Sequence, residues 1–312
     1  MNILITGGAG YIGNVLIRTL LKIKKINKIT IIDKFFFKQE KTLESLKNEK
    51  RLVIIKDNIK NEKLLKKEIK SNDVIIPLAA VVGAPACEKY PELAEEVNFN
   101  QIKNITDIAD NNQLIIMPVT NSGYGIGGEN FCDETSPLRP ISLYGKTKVR
   151  AEEYLITNYN NYVSLRLATV FGVSERMRVD LLVNDFVYKS FFDEKLVLFE
   201  ANFRRNFIHI QDVANLIANI SIDNSKYKNQ TFNVGLEEAN LTKLELAKKI
   251  QKHIKELKIE INEFASDPDK RDYIVSNKKL LATGWKTNYT LDYGIKELIN
   301  YFKTNKKYYS NV

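Results

Sequence analysis

Met1-Asn-Ile-Leu-Ile-Thr-Gly-Gly-Ala-Gly-Tyr-Ile-Gly13 opens the chain, and its reading decides the fold. Ile3, Leu4 and Ile5 form an apolar run too short for a helix, with glycines directly behind it. That is the pattern of a fully buried parallel strand. Gly7, Gly10 and Gly13 follow at three-residue spacing. Gly7 permits the tight turn out of the strand, Gly10 lets the main chain approach a pyrophosphate, and Gly13 lets the next helix pack close to the sheet. The helix that opens with Tyr11, Ile12 and Gly13 and runs to Leu21 points its free N–H groups and positive dipole end at that anion.

A glycine pattern alone fits a ligand-free turn equally well. The context here adds a second apolar strand, Ile29 to Ile32, which ends in Asp33 about 20 residues beyond Gly13, the spacing of a dinucleotide site. A carboxylate there accepts hydrogen bonds from the adenosine ribose hydroxyls and repels a 2′-phosphate, so NAD is expected over NADP. Lys34 beside it weakens that discrimination a little.

At 312 residues, with 44% hydrophobic and 10% aromatic content, the chain can bury a substantial core as one large domain or two modest ones. The formal net charge of +9 raises the question of nucleic acid. The lysines, however, are scattered on polar helix faces such as Lys60 to Lys70, and no basic stripe alternates with aromatics. A solvated surface is the reading adopted, with no nucleic-acid partner and a field that would steer an anionic small substrate. Cys87 and Cys132 make no disulfide framework, and no signal peptide precedes the first strand, so a cytoplasmic location is expected. No apolar run approaches the roughly 18 residues of a membrane span. No metal site is expected.

Further along, Leu52 to Lys56 reads as a third strand, with Asp57 and Asn58 at its C-terminal end. That pair either bonds the adenine edge or caps the helix Glu62 to Ile69. Asp73 to Leu78 reads as a fourth strand, followed by Leu78, Ala79 and Ala80, small enough at the alanines for main chain to lie against a flat ring. Ala94 to Asn111 reads as a helix and Leu114 to Val119 as a fifth strand. Strands alternating with helices imply a parallel doubly wound α/β sheet. Phe35-Phe36-Phe37 suits adenine-side packing or a subunit contact.

Thr120-Asn-Ser-Gly-Tyr-Gly125 stands at the end of the fifth strand, and Ser142-Leu-Tyr-Gly-Lys-Thr-Lys148 opens a helix running to about Asn158. Tyr144 and Lys148 lie one helical turn apart on one face. An ammonium beside a phenol favours phenolate, lowering a pKa that is about 10 in free tyrosine. A tyrosine so tuned takes a proton from an alcohol while hydride leaves the same carbon, and Lys148 can also bond the nicotinamide ribose.

The ordered set of Gly7-x-x-Gly-x-x-Gly13, Asp33, Leu78-Ala-Ala80, Thr120–Gly125, Tyr144-x-x-x-Lys148 and Arg204-Arg-Asn-Phe-Ile-His-Ile-Gln-Asp212 resembles the extended short-chain dehydrogenases/reductases. More narrowly it is similar to the NAD-dependent epimerase/dehydratase family, which works on nucleotide sugars. The resemblance runs from Met1 to the helix Leu291–Phe302. It implies a Rossmann-type fold with a smaller C-terminal substrate domain. It implies Tyr144 as catalytic base, Lys148 as its partner and Thr120 as the residue bonding the reacting oxygen, with Asn121 and Ser122 beside the substrate. Arg205 matches the arginine that holds the substrate diphosphate, a task suited to a guanidinium; Arg271 is a candidate to assist it. Arg176 and Arg178 either grip the nucleotide or lie on a solvated face. Two departures stand out: Pro77 where the family often has histidine, and Thr169 where an asparagine usually meets the substrate phosphates.

Family 4,6-dehydratases carry an Asp-Glu pair where this chain has Asn121 and Ser122, and decarboxylases commonly carry a glutamate at the second position. Epimerase/reductases working at C3 and C5 need a Cys/His couple, and neither His209 nor His253 falls in the region between Lys148 and Arg205. What remains is NAD-dependent oxidation at C4, or 4-epimerisation. The segment Phe171–Val187, with Thr120–Gly125 and Asn233–Asn240, resembles bacterial dehydrogenases that oxidise C4 of a GDP-linked heptose for capsule synthesis. The resemblance also places residues 1–169 and 207–234 in the cofactor domain, 173–203 and 235–312 in the substrate domain, and implies a homo-oligomer. A non-catalytic NAD-binding protein is the rival of another class, though a binding module has no need of a tuned phenol.

Overall fold

The computed structural model describes residues 1–128, 130–262 and 271–305. Strands β1 (Asn2–Thr6), β2 (Lys28–Asp33), β3 (Leu52–Lys56), β4 (Val74–Pro77), β5 (Leu114–Thr120) and β6 (Tyr162–Leu167) occupy the first half of the chain. Between them run α1 (Tyr11–Leu21), α2 (Glu62–Lys70), α3 (Ala84–Lys89), α4 (Pro91–Glu95), α5 (Gln101–Ile108) and α6 (Leu143–Asn158). The second half holds β7 (Thr169–Phe171), α7 (Leu182–Phe192), β8 (Lys195–Phe199), β9 (Arg204–His209), α8 (Ile210–Ile222) and β10 (Gln230–Val234). It ends with β11 (Asn240–Thr242), α9 (Lys243–Gln251), β12 (Lys258–Asn262), α10 (Lys278–Ala282) and α11 (Leu291–Thr304).

Seven strands form one sheet in the order β10-β6-β5-β4-β1-β2-β3, and every pairing in it is parallel. This is a Rossmann-type α/β fold. The period-two alternation of a strand divides β1 between two cores. Ile3 and Ile5 face the side of Leu16, Ile17 and Leu20 from α1 and Ile217 from α8. Leu4 faces the other side, with Leu65, Ile105 and Leu155 from α2, α5 and α6. Each such buried side chain contributes about 1.5–3 kcal/mol, which is why an unbroken apolar run is needed at the sheet centre.

β4 pairs with β5 only through Val74–Leu114 and Ile75–Ile115. Past those residues the two strand ends part, and Pro77 and Pro118, one on each, line the opening. Proline has no N–H to contribute to a ladder. The remaining strands stand apart: β7, β9 and β11 form a three-stranded sheet, and β8 pairs with β12. Helix α9 starts at a capping box in which Thr242 and Glu245 satisfy one another's main-chain N–H groups.

One expected helix differs. Instead of a continuous helix over 94–111, α4 is followed by a π-helical segment, Glu96–Asn100, before α5 ends at Ile108. The wider turn points Asn98 inward. Its side chain accepts from the Val81 N–H at 2.8 Å and donates to the Val81 carbonyl at 3.0 Å, pinning the segment after β4. Among the described residues, no helix is long and apolar enough to cross a membrane.

Candidate active site

A cavity of about 560 Å³ opens at the carboxyl ends of β1, β2, β4 and β5, where doubly wound sheets bind ligands. Gly7, Gly10, Tyr11, Ile12 and Gly13 line it on one side, and Thr120, Tyr144 and Lys148 on another.

The glycines are demanded by the chain itself. Gly7 has φ +69°, and a Cβ there would lie 2.6 Å from the main chain of Ala79. A Cβ on Gly13 would lie 2.4 Å from the carbonyl oxygen of Gly8. The turn therefore brings α1 and the segment after β4 into a cradle whose floor is bare main chain. Asp33 sits beside it, its carboxylate accepting from the N–H groups of Ala9 at 2.9 Å and Phe35 at 2.7 Å. Burial pushes its pKa up, against those two bonds. Lys34, Phe36, Phe37, Asn58, Leu78, Ala79 and Ala80 complete this half of the lining. These features fit a dinucleotide: a carboxylate at the end of β2, a glycine turn, and a helix N-terminus whose first N–H groups have no carbonyl to meet.

Two residues expected at the cofactor behave differently from their neighbours. Asp57 is not part of the lining; its carboxylate accepts from Asn58 N–H at 2.6 Å and Asn61 Nδ2 at 2.9 Å. The helix cap is Asn61, which accepts from Leu64 N–H, so neither Asp57 nor Asn58 caps α2. Tyr11 turns its phenol away from the cradle, donating to the Gly172 carbonyl at 2.6 Å and accepting from Asn184 Nδ2 at 3.2 Å.

Thr120 ends β5, and its hydroxyl donates to Ser122 Oγ at 2.9 Å. Ser142 caps α6 by accepting from Gly145 N–H at 3.2 Å, which sets the first turn and so the direction of Tyr144. Burial pushes the Tyr144 phenol up to about 12, while Arg178, Arg271 and a hydrogen bond with Thr120 pull the other way. The low phenol expected from the lysine alone is not what the structure holds: loss of water outweighs the charges, and Arg178 leads the groups that oppose it. Lys148 is 4% exposed, and burial brings its amine down to about 8, with Cys87 and Glu152 favouring the charged form. The site thus holds a protonated phenol beside a lysine that is still mostly ammonium at neutral pH, the charge that a phenolate at Tyr144 needs next to it.

The cations are distributed along the cavity. Arg205 is buried, stacks over Tyr273 with Cζ 5.7 Å from the ring centroid, and lines the cavity together with Lys243. Arg271 donates to Ser122 Oγ and acts on Tyr144, so it stands at the catalytic end. Arg178 forms a two-point ion pair with Asp180 at 3.1 and 2.5 Å. Arg176 lies over Phe37, near Asp33. Asn121 does not line the cavity; it is fully buried, with no hydrogen-bond partner for its side chain among the described residues.

Sequence reasoning missed the frame behind these residues. Arg166 bonds both carboxylate oxygens of Glu152 through Nε, at 3.1 and 3.0 Å, and donates through Nη1 to the Tyr124 hydroxyl at 3.1 Å. Glu152 follows Lys148 by one turn of α6, and Tyr124 follows Thr120 by four residues. One buried ion pair therefore locks the helix carrying Tyr144 against the turn carrying Thr120. Lys243 was also missed. Its signal was weak, a lone lysine among many at the start of α9. His209 is buried, with Nε2 3.1 Å from Glu297 and its ring stacked on Tyr289.

A model of the NAD dependent epimerase/dehydratase family matches residues 3–235. The chain belongs to this family. Its NAD dependence identifies the dinucleotide that fits the cradle. Across the family, the chain is 27% identical over 315 residues to a putative UDP-glucose 4-epimerase of Methanocaldococcus jannaschii, covering 98% of this chain and 99% of that one. It is 31% identical over 226 residues to an uncharacterized UDP-glucose epimerase, YtcB, of Bacillus subtilis, covering 68% and 70% of the two chains. Among solved structures, it superposes with a TM-score of 0.85 on a UDP-glucuronic acid 4-epimerase from Bacillus cereus, solved with UDP-glucuronic acid and NAD. That match is 24% identical and covers 97% of this chain and 99% of the other. The protein is thus an enzyme of the NAD dependent epimerase/dehydratase family.

Proposed function

We propose that this epimerase/dehydratase family member oxidises the C4 hydroxyl of a nucleotide-activated sugar and releases the 4-keto sugar, with a GDP-linked heptose as its substrate. The observation that carries the oxidation is the grouping of Thr120, Tyr144 and Lys148 along the cavity, with Asn121 and Ser122 at the positions where a dehydratase carries its acid–base pair. Asn121 is buried out of the cavity, and the Ser122 hydroxyl is engaged by Thr120 and Arg271. Neither can protonate a leaving hydroxyl, so dehydration after oxidation has no agent at those positions.

In this reading the Thr120 hydroxyl bonds the reacting sugar oxygen and Tyr144 takes its proton. Lys148, as the ammonium, stabilises the phenolate that does so, and Arg178 and Arg271 add to that stabilisation. NAD, when bound along the cleft, supplies the acceptor for the hydrogen and two electrons that leave C4. Arg205 and Lys243 hold the substrate diphosphate, and residues 173–203 and 235–312, of which 263–270 and 306–312 lie outside the described residues, act as the substrate side of a homo-oligomer's subunit. The GDP-heptose assignment rests on the resemblance of Phe171–Val187 and Asn233–Asn240 noted above.

The relatives named as 4-epimerases favour a second reading, in which the keto sugar is turned over and reduced again. Incubation of the purified enzyme with GDP-heptose, UDP-glucose and UDP-glucuronic acid separates the two. A product lighter by two hydrogens, with matching nicotinamide reduction, supports the dehydrogenase; an isomer of unchanged mass with no net reduction supports the epimerase.

A further inference from the structure

The loop 172–181 leaves the end of β7 and runs along the cofactor side of the cavity before α7 begins. It is held there by contacts with the phosphate-binding turn. The Tyr11 phenol donates to Gly172 O at 2.6 Å, and Ser174 Oγ donates to Tyr11 O at 2.9 Å. Behind it, Asn184 Nδ2 donates to Arg178 O at 2.8 Å and Asn184 Oδ1 accepts from Gly172 N–H at 3.1 Å. Val173 N–H donates to Glu297 at 3.0 Å. Ser174, Arg176, Met177 and Val179 are all buried. A loop so anchored is a fixed wall.

Arg176 lies in this wall with 2% of its surface exposed, its Nη1 donating to the Met177 carbonyl at 3.1 Å, and it contributes to the cavity lining. Its Cζ lies 5.3 Å from the centroid of Phe37. Phe37 N–H donates to Gln39, whose amide reaches the Asp33 carboxylate, so Phe37 belongs to the adenosine half of the cradle. The Arg176 charge is also near enough to Asp33 to draw its carboxyl down. The start of the loop, at Gly172 and Ser174, touches Tyr11, the first residue of the helix that opens at the glycine turn. A guanidinium on this stretch of wall is near where the phosphates of an adenosine diphosphate group would lie, and it is the planar, bidentate cation suited to them.

We propose that Arg176 is a cofactor-binding residue, a guanidinium that the loop 172–181 lends to the phosphates on the adenosine side of the dinucleotide. This rests on the NAD cleft described above and reassigns Arg176 from the sugar nucleotide to the cofactor. The glycine turn contacts a pyrophosphate only through main chain, so Arg176 would supply the side-chain charge that the turn lacks.

Calorimetric titration of cofactor-stripped protein with NAD, ADP and nicotinamide mononucleotide tests this. Arg176→Met should weaken NAD and ADP by roughly ten- to hundredfold, the effect of losing a hydrogen bond to a charged group. It should leave nicotinamide mononucleotide unchanged, and at saturating NAD the KM for the sugar nucleotide should stay as in the wild type. Arg176→Lys keeps the charge but not the fork, and should show an intermediate loss, which preserves the test if the methionine variant folds poorly. Unchanged ADP affinity in a folded variant overturns the proposal, as does a raised KM for the sugar nucleotide with normal NAD binding. A uniform loss for all three ligands would mark Arg176 as a packing residue and also overturn it. Wild-type protein that binds none of the three would overturn the NAD cleft itself, a result distinct from the others.

Discussion

The phenol of Tyr11 donates to the carbonyl of Gly172 at 2.6 Å, joining the first residue of the phosphate-facing helix to a residue 161 positions later. The two halves of the cavity wall thus share one buried hydrogen bond, extended by Asn184 Nδ2 on the same phenol. Tyr11→Phe removes the hydroxyl and leaves a buried carbonyl and amide unsatisfied, at a cost of about 1–3 kcal/mol. Thermal unfolding should show a lower midpoint, and NAD should bind more weakly, with the Tyr144 chemistry intact once the cofactor is saturating.

Tyr144→Phe keeps the ring and removes the proton acceptor. We expect turnover to fall by about 10²- to 10⁴-fold, with NAD affinity nearly unchanged. Thr120→Val, which keeps the shape and loses the hydroxyl, should lower turnover by a smaller factor. Both are read in the same steady-state assay with the authentic nucleotide sugar. Wild-type turnover in Tyr144→Phe would show that this phenol is not the group that takes the proton.

Lys148 offers a test with opposite signs for stability and function. The unfolded chain keeps the lysine proton up to its ordinary value of 10.5, whereas burial makes the folded chain release it near 8. Between those values the unfolded state binds more protons, so this group's contribution makes the protein more stable as pH rises. Below about 8 the folded state carries the full cost of a buried charge. Lys148→Met should therefore raise the unfolding midpoint at pH 7 by an amount equivalent to about 1–3 kcal/mol, and the gain should shrink toward pH 10. Activity should be lost at every pH.

Gly7→Ala combines a left-handed backbone with a Cβ 2.6 Å from the Ala79 main chain. The conformation alone costs roughly 1–2 kcal/mol, and the contact forces the glycine turn away from the segment after β4. NAD affinity, followed by quenching of protein fluorescence, should drop more than thermal stability does. The reverse ordering would show that the turn only closes the fold.

How much of this was legible depends on how far apart in sequence the partners lie. The bounds of α1, β3 and α6 follow from local pattern, because strand burial and helix capping are written within a few residues of where they act. The glycine turn and the Tyr144–Lys148 spacing are local in the same sense. Arg166 with Glu152 was invisible, since an arginine on a strand and a glutamate on a helix carry no mutual signature until β6 and α6 are packed. The π-helical turn at Asn98 answers a demand from Val81, seventeen residues earlier. The setting of Arg176 was hidden for a similar reason: its loop follows β7 in sequence, and only the bonds of Gly172 and Ser174 to Tyr11 bring that loop against the glycine turn.

The parting of β4 from β5 beyond Ile115 also bears on how the enzyme rests between turnovers. Leu114 donates to the Asp73 carbonyl, and the alternation of β5 aims the nitrogen of Pro118 at the same neighbour, where an imino acid has no proton to give. One rung between these two ends is therefore missing by covalent structure, on the side of the sheet that opens into the cleft.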